Sequence, residues 1–393
     1  MADLTRSALN IEDLRRMARR RLTRGLFEFI DRGSEDDIAL RHNREALQRI
    51  KLRSRVLNDT SRRSPASTLF GEPVGMPVVI GPTGPAGFVW FRGETALARA
   101  AAKANIPFTL ASTSNTPIEK ILADSGGRLW FQLYVWRDLD ASLVAAHRAR
   151  DAGYDGLVIT VDSPVGFNRE HTVRNGMTDG INLSSRNAFD VFTHPRWLVD
   201  TIGRYLLADG HVPRFVNIHV PEVDPGKVFD YHQRNDALDW DFLKRMRDMW
   251  PRKLIAKGVL HADDARKCVE CGVDAIVVSN HGANASDAAP APIDMLPSIV
   301  AAVDGRTTTI VDSGFRRGSD ILKAIALGAD CVMIGRATLY GVSAAGEAGA
   351  SRALDILHAE IRRTMGVLAV NSIDEITPDH VIVPPDSLIH AVA

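Results

Sequence analysis

The chain has 393 residues, 45% hydrophobic and 24% charged, with 48 basic side chains balancing 48 acidic ones. This composition excludes a disordered chain, and the zero formal net charge removes the basic surplus that a nucleic-acid binder uses to offset phosphates. Three cysteines (Cys268, Cys271, Cys331) are too few for a disulfide framework, and neither a signal peptide nor a membrane-length apolar run is present, so the expected setting is cytoplasmic.

Residues 1–65 read as a polar, helical N-terminal cap. From Ile11 to Ile30, Ile11, Leu14, Ala18, Leu22, Leu26, Phe29 and Ile30 recur near helical spacing, with Arg15, Arg16, Arg19, Arg20, Arg21 and Arg24 on the exposed side. Such a face can lie on an anionic membrane, but beside the acidic run Glu35-Asp36-Asp37 the expectation is a solvated surface. From residue 76 short apolar runs alternate with helical patterns. The eight runs are Pro77–Ile80, Pro107–Ala111, Trp130–Tyr134, Leu157–Val161, Lys253–Ala256, Ala275–Val278, Thr308–Val311 and Cys331–Ile334. Helical segments between them include Glu94–Lys103, Ala141–Ala152, Ala262–Cys271 and Ser319–Ala326. Such alternation predicts right-handed βαβ units, and eight of them predict an α/β fold closed as a (β/α)8 TIM barrel, one domain over 1–393. An open doubly wound sheet would want a GxGxxG turn after its first strand, and Gly81-Pro82-Thr83-Gly84-Pro85 does not supply one.

The fourth and fifth strands stand far apart, so 163–250 is expected to hold an insertion or lid plus one barrel helix. It leaves the end of a strand, on the face where barrel active sites sit. A lid, an oligomer contact and a membrane-facing patch are all open for it. Within 177–217, Trp197, Leu198, Tyr205, Leu206 and Leu207 are interspersed with charges, which argues against a clean membrane anchor. Ser351–Met365 reads as a closing helix, followed by a proline-bearing tail.

Polar residues stand at nearly every strand end: Thr83, Ser112, Gln132 and Tyr134, Thr160 and Asp162, Lys257, Ser279 to His281, Asp312, then Gly335 and Arg336. A purely structural barrel has no need of them. The turns Asp312-Ser313-Gly314-Phe315-Arg316-Arg317-Gly318 and Ile334-Gly335-Arg336 bring glycine and arginine to the last two strand ends, the usual phosphate site of this fold. His281 shares the mouth with Asp162, which could orient it as a base. GxSxG and zincin spacings are absent, so hydrolysis is unsupported, and the Cys268/Cys271 pair sits in a helical pattern as structural thiols.

Together with Phe131-Gln132-Leu133-Tyr134, Thr160-Val161-Asp162, Lys257-Gly258 and Ser279-Asn280-His281-Gly282, these motifs resemble the FMN-dependent α-hydroxy acid oxidase and dehydrogenase family across essentially the whole chain. Trp250-Pro251-Arg252-Lys253-Leu254 and Gly335-Arg336-Ala337-Thr338-Leu339-Tyr340-Gly341 are most similar to its mandelate dehydrogenase branch. The resemblance implies FMN, with its phosphate on Gly314, Arg316, Gly335 and Arg336 and its ribityl chain near Asp312 and Ser313. It implies ring contacts from Pro82, Thr83, Gly84, Ser112, Gln132, Thr160, Lys257 and Ser279. His281 with Asp162 would act as base, Lys257 would stabilise charge on the reduced flavin, and Tyr134 and Arg169 would line the substrate side. Oxygen or an external acceptor would take the electrons, Gly84 leaning toward the latter. The resemblance also implies a homo-oligomer, commonly a tetramer.

Two departures stand out. After the histidine the family continues Gly-Ala/Gly-Arg, with the arginine clamping the substrate carboxylate, whereas this chain reads Gly282-Ala283-Asn284. The N-terminal tyrosine that helps hold the same carboxylate is matched by Phe29. Breaking a buried carboxylate–arginine pair costs on the order of 3–5 kcal/mol. The residues therefore point to a neutral or bulky small-molecule substrate, with an ordinary 2-hydroxy acid held by Arg169 as one alternative and an inactive flavin-binding protein as another. A non-flavin aldolase or isomerase using Lys257 is a distant further reading.

Overall fold

Each apolar run becomes a strand of one closed parallel barrel in the computed structural model, which describes residues 7–177, 185–217 and 234–385. Ahead of the barrel come α1 (Ile11–Arg21), α2 (Arg24–Asp31), α3 (Ile38–Arg49), β1 (Lys51–Leu52) and a hairpin of β2 (Ser67–Leu69) and β3 (Glu72–Val74). The barrel strands are β4 (Val78–Ile80), β5 (Phe108–Ala111), β6 (Leu129–Tyr134), β7 (Gly156–Thr160), β8 (Lys253–Val259), β9 (Ala275–Val278), β10 (Thr308–Val311) and β11 (Cys331–Ile334). They pair in sequence order, and β11 returns to β4. Near the C-terminus β12 (Val381–Ile382) pairs with β1 and ties the cap to the end of the chain.

Period-two alternation divides the apolar side chains between two cores. Val79, Trp130, Val158, Ile255, Val277, Ile310 and Met333 point inward and fill the barrel, with Leu69 and Val74 of the hairpin packed beneath them. Their neighbours Val78, Phe131, Leu157, Ile159, Leu254, Ile276 and Val332 point outward against the helical ring. Both faces are covered, which is why the runs are almost continuously apolar.

Three details depart from the sequence reading. The helix over Ile11–Ile30 is two, broken at Leu22–Thr23; an Asn10–Asp13 capping box opens the first. Arg21 is not on the exposed side. Its guanidinium lies over Trp90 (4.3 Å) and donates to Val89 O and Thr201 Oγ1, partners brought by distant segments. The closing helix belongs to a longer one, Arg336–Leu368, interrupted at Ala345 and Gly346. All three cysteines are free and buried.

After β7 the chain forms α4 (Glu170–Arg174), α5 (Ser185–Thr193) and, past a helical stretch from Pro195, α6 (Arg204–Asp209). The parts of the expected lid at 178–184 and 218–233 lie outside the described residues, as does the tail from 386. Trp197, Thr201 and Tyr205 anchor the insertion inward, with the Trp197 indole donating to Phe88 O (2.7 Å). Phe189, Phe192, Val199 and Leu207 of the same insertion are exposed. Among the described residues no helix is long and apolar enough to cross a membrane.

Candidate functional site

The end of β9 turns sharply. His281, Gly282 and Ala283 all have positive φ (59°, 63° and 66°), a left-handed run that is costly for histidine and alanine. Hydrogen bonds hold it: His281 N–H donates to Ser279 Oγ (3.0 Å), Gly282 N–H to Ser313 Oγ (2.9 Å) and Ala283 N–H to Asn280 O (3.0 Å). The imidazole then bridges two strand ends. Nδ1 donates to Asp162 Oδ1 (2.9 Å), which leaves Nε2 to accept from the Tyr134 hydroxyl (2.8 Å). Ser163 Oγ donates to the same Asp162 oxygen (3.0 Å), and Phe167 packs edge-on against the ring (4.9 Å). Burial, with the Lys257 charge nearby, outweighs Asp162 and holds His281 below its ordinary range. The ring is therefore neutral at neutral pH, and Nε2 can take a proton. Burial works to raise Asp162, but His281 and Lys257 outweigh it and keep the carboxylate charged.

Lys257 reaches this pair through a bulge in β8. Gly258 follows it at φ 114°, and a Cβ there would lie 2.5 Å from Asp162 Cβ, so only glycine lets the two strand ends close together. Lys257 Nζ donates to Ser279 Oγ (3.0 Å) and stands 3.3 Å from Asp312, which also accepts from Ser279 Oγ (2.9 Å). Burial alone would push the ammonium down, but Asp312 and Asp162 outweigh it and keep it charged.

A cavity lined by Pro82, Thr83, Gly84, Tyr134, Arg169, Lys257 and His281 continues past Asp312, Ser313, Gly314 and Arg316 to Gly335 and Arg336. Gly314 has φ 90°, and a Cβ there would meet Asn43 O at 2.8 Å. The Arg336 guanidinium is half-buried and donates to three carbonyls, Ile30 O, Gly282 O and Arg32 O (2.7–3.0 Å), with desolvation lowering it to about 10. A cation partly withdrawn from water and hydrogen-bonded to carbonyl dipoles attracts an anion. At the other end Thr83 Oγ1, Gln132 Oε1 and Asp162 Oδ2 are buried without hydrogen-bond partners among the described residues. Orphaned acceptors at one end and arginine with glycine turns at the other fit a flat heteroaromatic carrying a phosphate, as FMN does.

Most expected residues converge here. Gln132, Thr160 and Ser279 are bonded among neighbours close to the cavity, Gln132 Nε2 donating to Thr160 Oγ1 (2.9 Å). Ser112 does not line the cavity; its hydroxyl accepts from Tyr134 N–H (3.3 Å), and Ala111 and Thr113 form the wall there. Phe29 seats Arg169: the guanidinium lies 4.2 Å from the ring centroid and also donates to Phe29 O. Asn284 folds back, Nδ2 donating to His281 O (2.7 Å), and its Oδ1 is buried without a partner among the described residues. The sequence reading missed Phe167 and Arg234. Arg234 is 2% exposed and lies 3.4 Å from the Tyr134 ring centroid, where no motif marks it.

Comparison with known proteins agrees with this geometry. The family described as FMN-dependent dehydrogenase matches residues 18–383. A putative L-lactate dehydrogenase of Mycobacterium tuberculosis is 40% identical over 95% of this chain and 89% of its own. The (S)-mandelate dehydrogenase of Pseudomonas putida is 37% identical over 96% of this chain and 94% of its own. A solved structure of a monotopic membrane protein, (S)-mandelate dehydrogenase, superposes with a TM-score of 0.89 at 37% identity, covering 96% of this chain and 100% of that one.

Proposed function

The chain belongs to the FMN-dependent dehydrogenase family, and from that premise we propose that it oxidises a free 2-hydroxy acid of the lactate or mandelate type, holds the carboxylate on Arg169 and passes electrons to an external acceptor. It is an oxidoreductase of CH–OH groups with FMN as cofactor. Thr83, Gln132 and Lys257 would hold the FMN ring, and Gly314, Arg316, Gly335 and Arg336 its phosphate. Bound there, FMN supplies a two-electron acceptor.

The protein's own residues divide the remaining work. Arg169, seated on Phe29, offers a planar fork that a carboxylate matches with two hydrogen bonds. Neutral His281 takes the substrate proton at Nε2, and Asp162 on Nδ1 steadies the imidazolium that forms. The Tyr134 hydroxyl, which donates to Nε2 in this structure, turns to the substrate oxygen where negative charge develops and so frees Nε2 for the proton. The observation carrying the reading is a neutral His281, paired with the Asp162 carboxylate, sharing one cavity with Arg169.

Phe29 and Asn284 pointed to a neutral substrate; the lactate and mandelate dehydrogenases favour the ordinary acid instead. The deciding experiment mixes the holoenzyme anaerobically with lactate, glycolate and both mandelates, each beside its methyl ester and amide, while flavin absorbance is followed. Free acids are expected to bleach the flavin. Bleaching by esters or amides alone would overturn the reading.

A second observation bears on location. Exposed Phe189, Phe192 and Leu207 in the insertion support peripheral seating on a membrane surface, in the manner of the monotopic relative.

A further inference from the structure

Tyr134 ends β6, and Trp136 follows two residues on in an extended bridge, on the same face. Arg234 stands against both rings, its guanidinium carbon 3.4 Å from the Tyr134 centroid and 4.8 Å from that of Trp136. Backbone contacts fix this placement: an antiparallel bridge joins Trp136 to Arg234, and Asn235 N–H donates to Val135 O (3.1 Å). The residue is 2% exposed.

This placement bears on the chemistry of the site. The Tyr134 hydroxyl donates to His281 Nε2 (2.8 Å), the nitrogen at which the substrate proton is taken. A cation on the ring face draws on the π electrons and makes the phenol a stronger donor. The benefit is greatest when negative charge has built up on the substrate oxygen, so it falls on the transition state. The cavity has meanwhile lost an expected positive charge, because Asn284 stands where the family pattern carries arginine.

We propose that Arg234 is a positioning residue that acts through Tyr134, locking the ring in place and strengthening its hydroxyl as the donor to developing negative charge, in partial replacement of the arginine missing at Asn284. This rests on the hydroxy-acid reading above.

The test is a double-mutant cycle on the holoenzyme, combining Arg234→Met with Tyr134→Phe. Arg234→Met is expected to lower kcat by about ten- to a hundredfold while KM changes by less than about threefold. In the Tyr134→Phe background the same change should cost less than about threefold more. Arg234→Lys should recover part of the loss and Arg234→Gln should not; this pair decides the matter if the methionine variant fails to fold. A second readout needs no turnover: oxalate, a planar dianion, titrated against the flavin absorbance of each variant. Arg234→Met should weaken its binding about tenfold, and only when Tyr134 is present. Additive losses, or a kcat and oxalate affinity that survive Arg234→Met with only heat stability reduced, would overturn the proposal. If no hydroxy acid reduces the wild-type flavin, the hydroxy-acid reading fails and the oxalate cycle still decides the role of Arg234.

Discussion

Asn284 shows how one side chain changes what a site asks of its ligand. Its amide folds back on His281 O and leaves Oδ1 buried without a partner among the described residues, a cost of about 1–3 kcal/mol unless a ligand or water donates to it. Carboxylate binding is left to Arg169, which already spends one donor on Phe29 O. Asn284→Arg is expected to restore a second cationic fork and to lower KM for the free acid by about tenfold or more, with a smaller change in kcat. Arg336 Nη1 lies close to this turn and opposes a second positive charge, which limits the gain. Steady-state kinetics on the acid that bleaches the flavin most rapidly decides it, and an unchanged or raised KM would sink the argument. At this scale the sequence was informative wherever chemistry sits at a strand end: His281, Asp162, Lys257 and Tyr134 were legible there. Arg234 was not, because its role comes from a bridge to Trp136 across nearly a hundred residues, which no local pattern records.

Among the elements, the insertion carries most of what the sequence left undecided. Its residues follow no single helical stripe, since an inward-facing set (Trp197, Thr201, Tyr205) and an outward-facing apolar set (Phe189, Phe192, Leu207) share one stretch. Charges between them disguised the outer face as ordinary surface. The N-terminal cap misled in the opposite way: its apolar spacing continues across Leu22–Thr23 although the helix does not, because both short helices bury the same side. Fully burying a phenylalanine or leucine contributes about 1.5–3 kcal/mol, so even partial insertion of three such residues supports reversible membrane binding. The triple variant Phe189→Ser, Phe192→Ser, Leu207→Ser is expected to co-sediment with anionic phospholipid vesicles at least about tenfold more weakly than wild type. Anaerobic flavin reduction should stay within about twofold, since none of the three lines the cavity. Wild-type protein that stays in the supernatant would remove the membrane reading.

Across the whole molecule, the eight-stranded closure was readable because both faces of every strand are buried, leaving runs too apolar for a solvated sheet. Its response to acid was hidden, because it depends on which histidines the fold encloses. His171, in the short α4 helix just after Arg169, is 2% exposed, and neither ring nitrogen has a hydrogen-bond partner among the described residues. Burial, with Arg169 and Arg32 nearby, pushes it down to about 4. In the unfolded chain the same ring titrates near 6.5. Between those two values the unfolded state holds a proton that the folded state refuses, so stability falls as the pH drops through that window and this group adds no further loss below it. His281 is lowered too and acts in the same direction. From pH 7 to pH 5 the His171 contribution alone amounts to about 2 kcal/mol. His171→Leu removes the titration without breaking a hydrogen bond, because none is made. Urea midpoints of the holoenzyme should drop between pH 7 and pH 5 in wild type and drop distinctly less in the variant. Equal drops in the two proteins would show that this histidine finds a partner in solution, and that the acid sensitivity of the fold arises elsewhere.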